Sequence, residues 1–343
     1  MTHDIVKPDL TDSAAKNIES IFRDFSFEDI VNDIVNGKFS ISSGGLVKNL
    51  IGLFLGEMKT AFALVSSIAA LMLLGAVINN LTQSLGKKGL EEAGGFAIFV
   101  YISAISATAF ETAGNYVTQT LEDITVFVHS IVPAMVTLCI SSGEAVRATM
   151  AHPVIFFVCS GAATVIRKVI TPLVLLRVVC TLLCGITAND GLKEFTQLFS
   201  KFHKTLLTFS MSLFAGILGI SSFASTSFDN LAARGIKFAV SASVPVVGGS
   251  ISEAMSSVAS SAMLLKNAVG LGGVMMLFAM FALPLLKIWA LSLSFRLVAA
   301  FTAPVAEQKT VDTLRNIGDC IDMLFSSLAC MGTIMIIAIA SIL

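Results

Sequence analysis

The stretch AVSASVPVVGGSISE, residues 239–253, is a run of small residues, proline and glycine set among apolar segments long enough to cross a membrane. Pro245 removes a backbone donor, and the glycines that follow weaken a helix. At membrane depth, a chain that leaves the helix is tolerated only where protein or a water-filled cavity surrounds it. We therefore expect a broken or re-entrant segment here, with a functional site beside it.

The composition is that of a membrane protein. Of 343 residues, 55% are apolar and only 13% are charged, whereas soluble domains carry about 25% charged residues. The net charge is −1 and the basic residues form no long run, which argues against nucleic acid as a partner. The six cysteines lack the Cys/His spacing of a metal site, so we expect buried free thiols and no cofactor.

The chain divides into three predicted parts. Residues 1–45 are acidic and amphipathic, and we interpret them as a cap on the membrane body, with a partner-docking module as the alternative. Residues 46–187 and 188–343 are two membrane repeats with amphipathic helices leading into apolar stretches. The fold class is therefore all-α, a polytopic helical membrane protein with about seven to nine spans.

Charge near the first hairpin predicts the orientation. Lys87 and Lys88 lie between its two apolar stretches, and the following loop, residues 111–123, contains three acidic residues and no basic one. By the positive-inside rule, Lys87 and Lys88 face the cytoplasm and residues 1–45 lie outside.

An internal repeat gives the first stretch a counterpart. ITVFVHSIVP (124–133) matches IKFAVSASVP (236–245), and each Val-Pro is followed by small residues and then Glu-Ala. KVITPLVLLRVV (168–179) matches KIWALSLSFRLV (287–298), with an arginine inside each apolar run. The shared order predicts a duplication.

Counting three spans between the two Val-Pro motifs predicts that the repeats are inverted. Inverted repeats meeting around broken segments are typical of transporters. The alternative is a helical bundle in which the prolines only kink ordinary spans.

Two arginines and two glutamates are the main candidates for a site. Arg177 and Arg296 interrupt apolar runs, where a guanidinium costs about 2.5–3.5 kcal/mol on insertion scales, so they should face a partner charge or a cavity. Glu144 and Glu253 follow the two Val-Pro segments. Arginines that snorkel, or that bind free helix carbonyls, are the structural alternative. The full set of substrate-pathway candidates is Pro133, Glu144, Arg177, Pro245, Gly248, Gly249, Ser250, Glu253 and Arg296.

Nothing in the sequence predicts an enzyme. It contains no nucleophile paired with a base, no phosphate-binding loop and no metal cluster.

The sequence SVPVVGGSISEAMSSVASSAMLLKNAVG (243–270), the HPVIFF that begins at His152 and the acidic N-terminal region resemble the stage III sporulation protein AE family of endospore-forming bacteria. The resemblance implies a mother-cell membrane protein that acts with its AA to AH companions and the forespore protein Q in the channel, or feeding tube, that supports the forespore. Members usually begin with a cleavable signal peptide, and because none opens this sequence we expect a mature or trimmed chain. That signal would also place residues 1–45 between the two membranes.

The leading interpretation is a permease-like subunit of that channel, which passes small solutes between the two Val-Pro segments. The alternatives are a non-conducting membrane scaffold for the complex and a stand-alone secondary transporter. We expect the lipid bilayer and the other sporulation proteins as partners, and a homo-oligomer is possible.

Overall fold

The computed structural model describes residues 18, 20–21, 31–34, 43–85, 88–187, 190–243 and 248–343. This part of the chain is helical apart from short turns and the final residues. Its helices are α1 (Ser43–Leu85), α2 (Lys88–Ser141), α3 (Ala145–Val165), α4 (Thr171–Thr187), α5 (Asp190–Ser243), α6 (Gly248–Thr302) and α7 (Gln308–Ala340), with a π-helical turn (Ile166–Ile170) between α3 and α4.

Within the described residues, six helical segments are long and apolar enough to cross a membrane, which confirms the prediction of an all-α polytopic membrane protein. This number agrees roughly with the predicted seven to nine spans. The difference arises because two predicted stretches can share one helix: residues 269–286 and 288–304 are separated only by Lys287, and both belong to α6. A single lysine does not end a helix.

Several helices are much longer than a bilayer is thick. α2, α5 and α6 contain 54, 54 and 55 residues, which is about 80 Å each at 1.5 Å per residue. The hydrocarbon core is about 30 Å thick. Each of these helices must therefore extend beyond the hydrocarbon or cross it at a steep tilt.

The π-helical turn joins α3 to α4 at a proline. Pro172 has no N–H to donate to the carbonyl of Lys168, and its ring would clash with that carbonyl. The helix forms a wider π-helical turn here, and Thr171 Oγ1 donates to the carbonyl of Ile166 at 3.0 Å. The predicted stretches 153–166 and 169–186 thus form one continuous helical segment.

A tight turn separates α2 from α3. Gly143 has φ = 87°, a conformation that glycine adopts without strain. The Glu144 N–H donates to the carbonyl of Cys139 at 2.9 Å, which closes the end of α2. The helix thus ends just before Glu144 and not at Pro133, which lies inside the continuous helix α2.

The core lies where α6 packs against α7 and α2. Gly273 allows α6 to pack closely on α2, because a Cβ atom there would lie 2.7 Å from Cδ1 of Ile131. Ile18 and Ile21 of the N-terminal region are also buried in this core. Their burial favours the interpretation of residues 1–45 as a cap on the membrane body.

The matched stretches of the predicted repeat run in the same direction in the described residues. α4 is antiparallel to α7, since Arg177 lies near Asp319 and Gly185 lies near Thr313. α6 is also antiparallel to α7, since Gly270 packs on Leu343 and Ser292 bonds to Gly318. The predicted inversion assumed two spans where the π-helical turn makes one, so α4 and α6 are parallel.

Candidate functional site

Two clusters of charged side chains contain three of the predicted site residues. The Glu144 cluster comprises Glu144, Arg147, Asp229 and Lys266, and the Arg177 cluster comprises Arg177, Arg296, Asp319 and Asp322. The sequence predicted Glu144, Arg177 and Arg296 as candidates, and it matched Arg177 with Arg296 but Glu144 with Glu253.

Glu144 is the centre of the first cluster. One carboxylate oxygen accepts a hydrogen bond from Lys266 Nζ at 2.8 Å and another from Arg147 at 3.1 Å. The Lys266 side chain has no solvent exposure and also donates to the carbonyl of Leu343 at 3.1 Å. A buried ammonium is stable only when it is paired and hydrogen-bonded, and this one meets both conditions.

Asp229 connects α5 to the start of α3. Its two carboxylate oxygens accept from the backbone N–H groups of Val146 at 2.8 Å and Arg147 at 2.9 Å. These are the first amides of α3, which have no partner within their own helix. Asp229 therefore caps α3 from a neighbouring helix, and its negative charge lies at the positive end of the helix dipole.

Sequence reasoning missed Lys266 and Asp229, although a signal was present for both. Lys266 interrupts an apolar stretch as Arg177 does, and Asp229 ends the apolar run of α5. A charged side chain within an apolar segment is costly unless it is paired with an opposite charge or a hydrogen-bonding group. The partner itself lies far away in sequence, so only the fold identifies it.

The Arg177 cluster unites the two arginines that the repeat matches. Arg296 donates to Asp319 at 2.7 Å and forms a short contact with Asp322. Arg177 reaches the same Asp319, but at 3.9 Å, which is an ion pair without a hydrogen bond. One carboxylate of α7 thus lies between the arginines of α4 and α6.

Arg177 is buried more deeply and paired less well than Arg296. Its side chain is 8% exposed, against 46% for Arg296. One terminal nitrogen donates to the sulfur of Met323 at 2.8 Å, and Nε has no hydrogen-bond partner within the described residues. Sulfur is a weak acceptor, so the guanidinium keeps unused donor capacity.

A buried histidine lies beside this cluster. His203 Nε2 is 3.0 Å from Ser327 Oγ. The Ser327 hydroxyl donates to the carbonyl of Met323 at 2.7 Å, so Nε2 of a neutral His203 is the donor to Ser327. The sequence did not single out His203, because one histidine within an amphipathic helix is not distinctive.

The clusters lie about one bilayer thickness apart. From Asp322 to Leu343, α7 and its last turn extend about 31 Å at 1.5 Å per residue, close to the thickness of a hydrocarbon core. Five helices have charge-free runs of about 20 residues over this layer. These runs are residues 124–143, 148–166, 205–228, 267–286 and 323–343.

The helix α5 carries buried polar side chains toward both clusters. Thr196, His203 and Ser210 lie toward the Arg177 cluster, Ser225 and Asp229 lie toward the Glu144 cluster, and the buried Phe214 and Leu218 separate the two groups. The surface of this helix away from the bundle carries exposed phenylalanines, including Phe209 and Phe223. We call the five buried polar residues the α5 polar stripe.

The remaining predicted residues do not join the clusters. Gly248, Gly249, Ser250 and Glu253 belong to the first turns of α6, but their side chains lie outside the described residues, as does Pro245 altogether. Glu253 and Arg296 are about 64 Å apart along α6 at 1.5 Å per residue. The approach of the two Val-Pro segments remains a prediction.

The cysteines of the membrane segments are free. Four are buried, and Cys180 and Cys184 are half-buried. Within the part of the chain that the structure describes, no group of His, Cys, Asp or Glu side chains is arranged to hold a metal ion.

This architecture defines a polytopic helical membrane protein with clusters of paired charges at two levels. The family model of stage III sporulation protein AE matches residues 25–343, so the chain belongs to that family. The stage III sporulation protein AE of Bacillus subtilis (strain 168) is 23% identical over 311 residues, which cover 91% of this chain and 78% of the relative. No solved structure matches the chain.

Proposed function

We propose that this protein is a membrane subunit of the channel between mother cell and forespore, and that it passes small solutes needed for late forespore development. Family membership supports the role in sporulation. The permease-like activity rests on the geometry of the bundle. By the family resemblance, the partners are the AA to AH proteins in the mother-cell membrane and the forespore protein Q.

The observation that supports passage best is the α5 polar stripe. Its residues are buried beneath an apolar outer surface, with His203 beside the Arg177 cluster and Asp229 in the Glu144 cluster. Polar and ionisable side chains inside a membrane are costly and usually serve a function. The stripe therefore places polar side chains at both ends of the proposed route, with the buried Phe214 and Leu218 between them.

The charge-free layer is our proposed position for the bilayer. The Glu144 cluster and the Arg177 cluster then lie near its opposite faces. Lys88 begins α2 and Ser141 ends it, so Lys88 and Glu144 are at opposite ends of that helix. With Lys88 on the cytoplasmic side, Glu144 lies on the side of the intermembrane space, as do residues 1–45.

In this mechanism, the Glu144 cluster closes one end of the route. Lys266, Arg147 and Asp229 hold α3, α5 and α6 together there. Opening requires these helices to separate and the buried ion pairs to be hydrated. Pro133, Pro245, Gly248, Gly249, Ser250 and Glu253 stay in the proposal as residues of the two Val-Pro segments that would permit the movement.

Solute flux through proteoliposomes tests passage. Ser210 lies in the middle of the stripe and is buried, so Ser210→Leu should reduce the flux of small solutes at least about tenfold by filling the polar route with an apolar side chain. Ser227→Leu, at an exposed position of the same helix, is the matched control and should leave flux unchanged. Equal flux from both variants and the wild type would defeat the proposal.

The alternative is a non-conducting scaffold, and the tight core favours it. Phe127, Phe295 and Lys266 are fully buried large side chains in the bundle. A scaffold would retain its sporulation partners in a pull-down and show the same flux as empty liposomes. Ser210→Leu would also leave its flux unchanged.

A further inference from the structure

Arg177 has more hydrogen-bond donors than the described residues satisfy. A guanidinium carries five N–H groups and no acceptor. Here Nε has no partner, one terminal nitrogen uses the weak acceptor Met323 Sδ, and the other lies 3.9 Å from Asp319. These groups are almost fully buried, so bulk water does not satisfy them.

The nearby carboxylates are already engaged by another cation. Asp319 accepts a hydrogen bond from Arg296 at 2.7 Å, and Asp322 also contacts Arg296. The two arginines and two carboxylates together have no net charge. Within the described residues, Arg177 is the arginine of this cluster whose N–H groups have no oxygen acceptor at hydrogen-bond distance.

A second donor lies one turn away on the same face of α4. The Thr181 hydroxyl is buried, lies beside the thiol of Cys320 as a hydrogen-bond donor, and has no oxygen acceptor within the described residues. Residues four positions apart on a helix are neighbours. Arg177 and Thr181 together present an N–H group and an O–H group, both buried and both without an oxygen acceptor.

We propose that Arg177 and Thr181 form a binding site for an oxyanion, that is, the carboxylate or phosphate group of a small solute or of an anionic lipid. A planar guanidinium fits two oxygens of such a group at once. The role of this site rests on the proposed passage function. The site adds to that proposal the class of solute that would pass, namely oxyanions. Asp319 competes with the ligand for Arg177.

Equilibrium binding to the full chain in nanodiscs tests the site. Inorganic phosphate and acetate are the probes in zwitterionic lipid, and phosphatidylglycerol nanodiscs without added anion supply the lipid arm. Arg177→Gln should weaken binding about tenfold or more, since bonds to a charged group are the stronger ones. Arg315→Gln, at an exposed arginine paired with Asp312, is the matched control and should bind as the wild type does.

Asp319→Asn keeps Arg177 and covers the case in which Arg177→Gln fails to fold. It removes the competing charge and should tighten binding severalfold. Binding that Asp319→Asn does not tighten, or that Arg315→Gln weakens as much as Arg177→Gln does, overturns the proposal, as does the absence of binding in every arm.

The two lipid conditions also distinguish a free solute from a lipid headgroup as the ligand. Together with the flux assay, they distinguish the oxyanion site from solute passage. Phosphate or acetate bound in zwitterionic lipid assigns the site to a free solute, and binding only of phosphatidylglycerol assigns it to a lipid headgroup; either supports the site. Oxyanion binding without solute flux keeps the site and defeats passage. Flux that depends on Ser210 without oxyanion binding keeps passage and defeats the site.

Discussion

The Glu144 cluster and the Arg177 cluster both place a buried cation inside an apolar bundle, but the two cations differ in how completely they are hydrogen-bonded. Lys266 has two hydrogen bonds to oxygen and no solvent exposure. Arg177 is nearly as buried and has no hydrogen bond to oxygen among the residues that the structure describes. The comparison indicates that the first cluster holds helices together, whereas the second keeps a cation available. It also predicts that mutations in the Glu144 cluster will mainly lower stability and that mutations of Arg177 will mainly impair function.

The largest effect should follow the loss of Glu144. Glu144→Ala leaves Lys266 buried without its carboxylate, which costs about 3–5 kcal/mol when a buried pair is broken from one side. Unfolding in denaturant, with the chain in detergent, measures the change. Glu122→Ala, which breaks the exposed pair with Arg167, should cost about 0–1 kcal/mol. Equal losses in the two variants would show that Lys266 does not depend on Glu144.

The loss of Asp229 should have an intermediate effect. Asp229→Ala removes two hydrogen bonds to the first amides of α3, and the loss of a helix cap costs about 0.5–2 kcal/mol. Hydrogen exchange should become faster at Val146 and Arg147 in particular. Unchanged exchange at those two amides would contradict the role of Asp229 as a cap.

Arg177 should matter least for stability. Arg177→Met replaces an incompletely bonded cation by an apolar side chain of similar length, a change that is often neutral or stabilising for buried ionic groups. We expect the free energy of unfolding to stay within about 1 kcal/mol of the wild type, while sporulation is lost. Strong destabilisation would mean that Arg177 serves the fold, as Lys266 does.

The sequence predicted the membrane class and the unusual charges, since both depend on local composition. It placed Arg177 and Arg296 together because the repeat matched them. It did not identify Asp319 as their shared partner, because that contact depends on how α7 packs against α4 and α6. It also counted two spans where Pro172 produces only a π-helical turn, and this changed the predicted direction of one repeat.

Glu253 shows the limit of the repeat argument in another way. Its match with Glu144 is a sequence match, but Glu144 forms its ion pairs with Arg147, three residues further on, and with Lys266, which belongs to another helix. A repeat predicts where a residue lies along the chain. It does not predict which neighbours the bundle supplies.

The central claim is that the α5 polar stripe borders a route for solutes, and thiol labelling tests it most directly. In a chain with its native cysteines replaced, Ser210→Cys introduces a thiol in the middle of the stripe and Phe209→Cys introduces one on the outer face. The account predicts that a charged, membrane-impermeant reagent labels Ser210→Cys from the aqueous side and leaves Phe209→Cys unlabelled in lipid. Protection of both thiols, or labelling of Phe209→Cys alone, would contradict it.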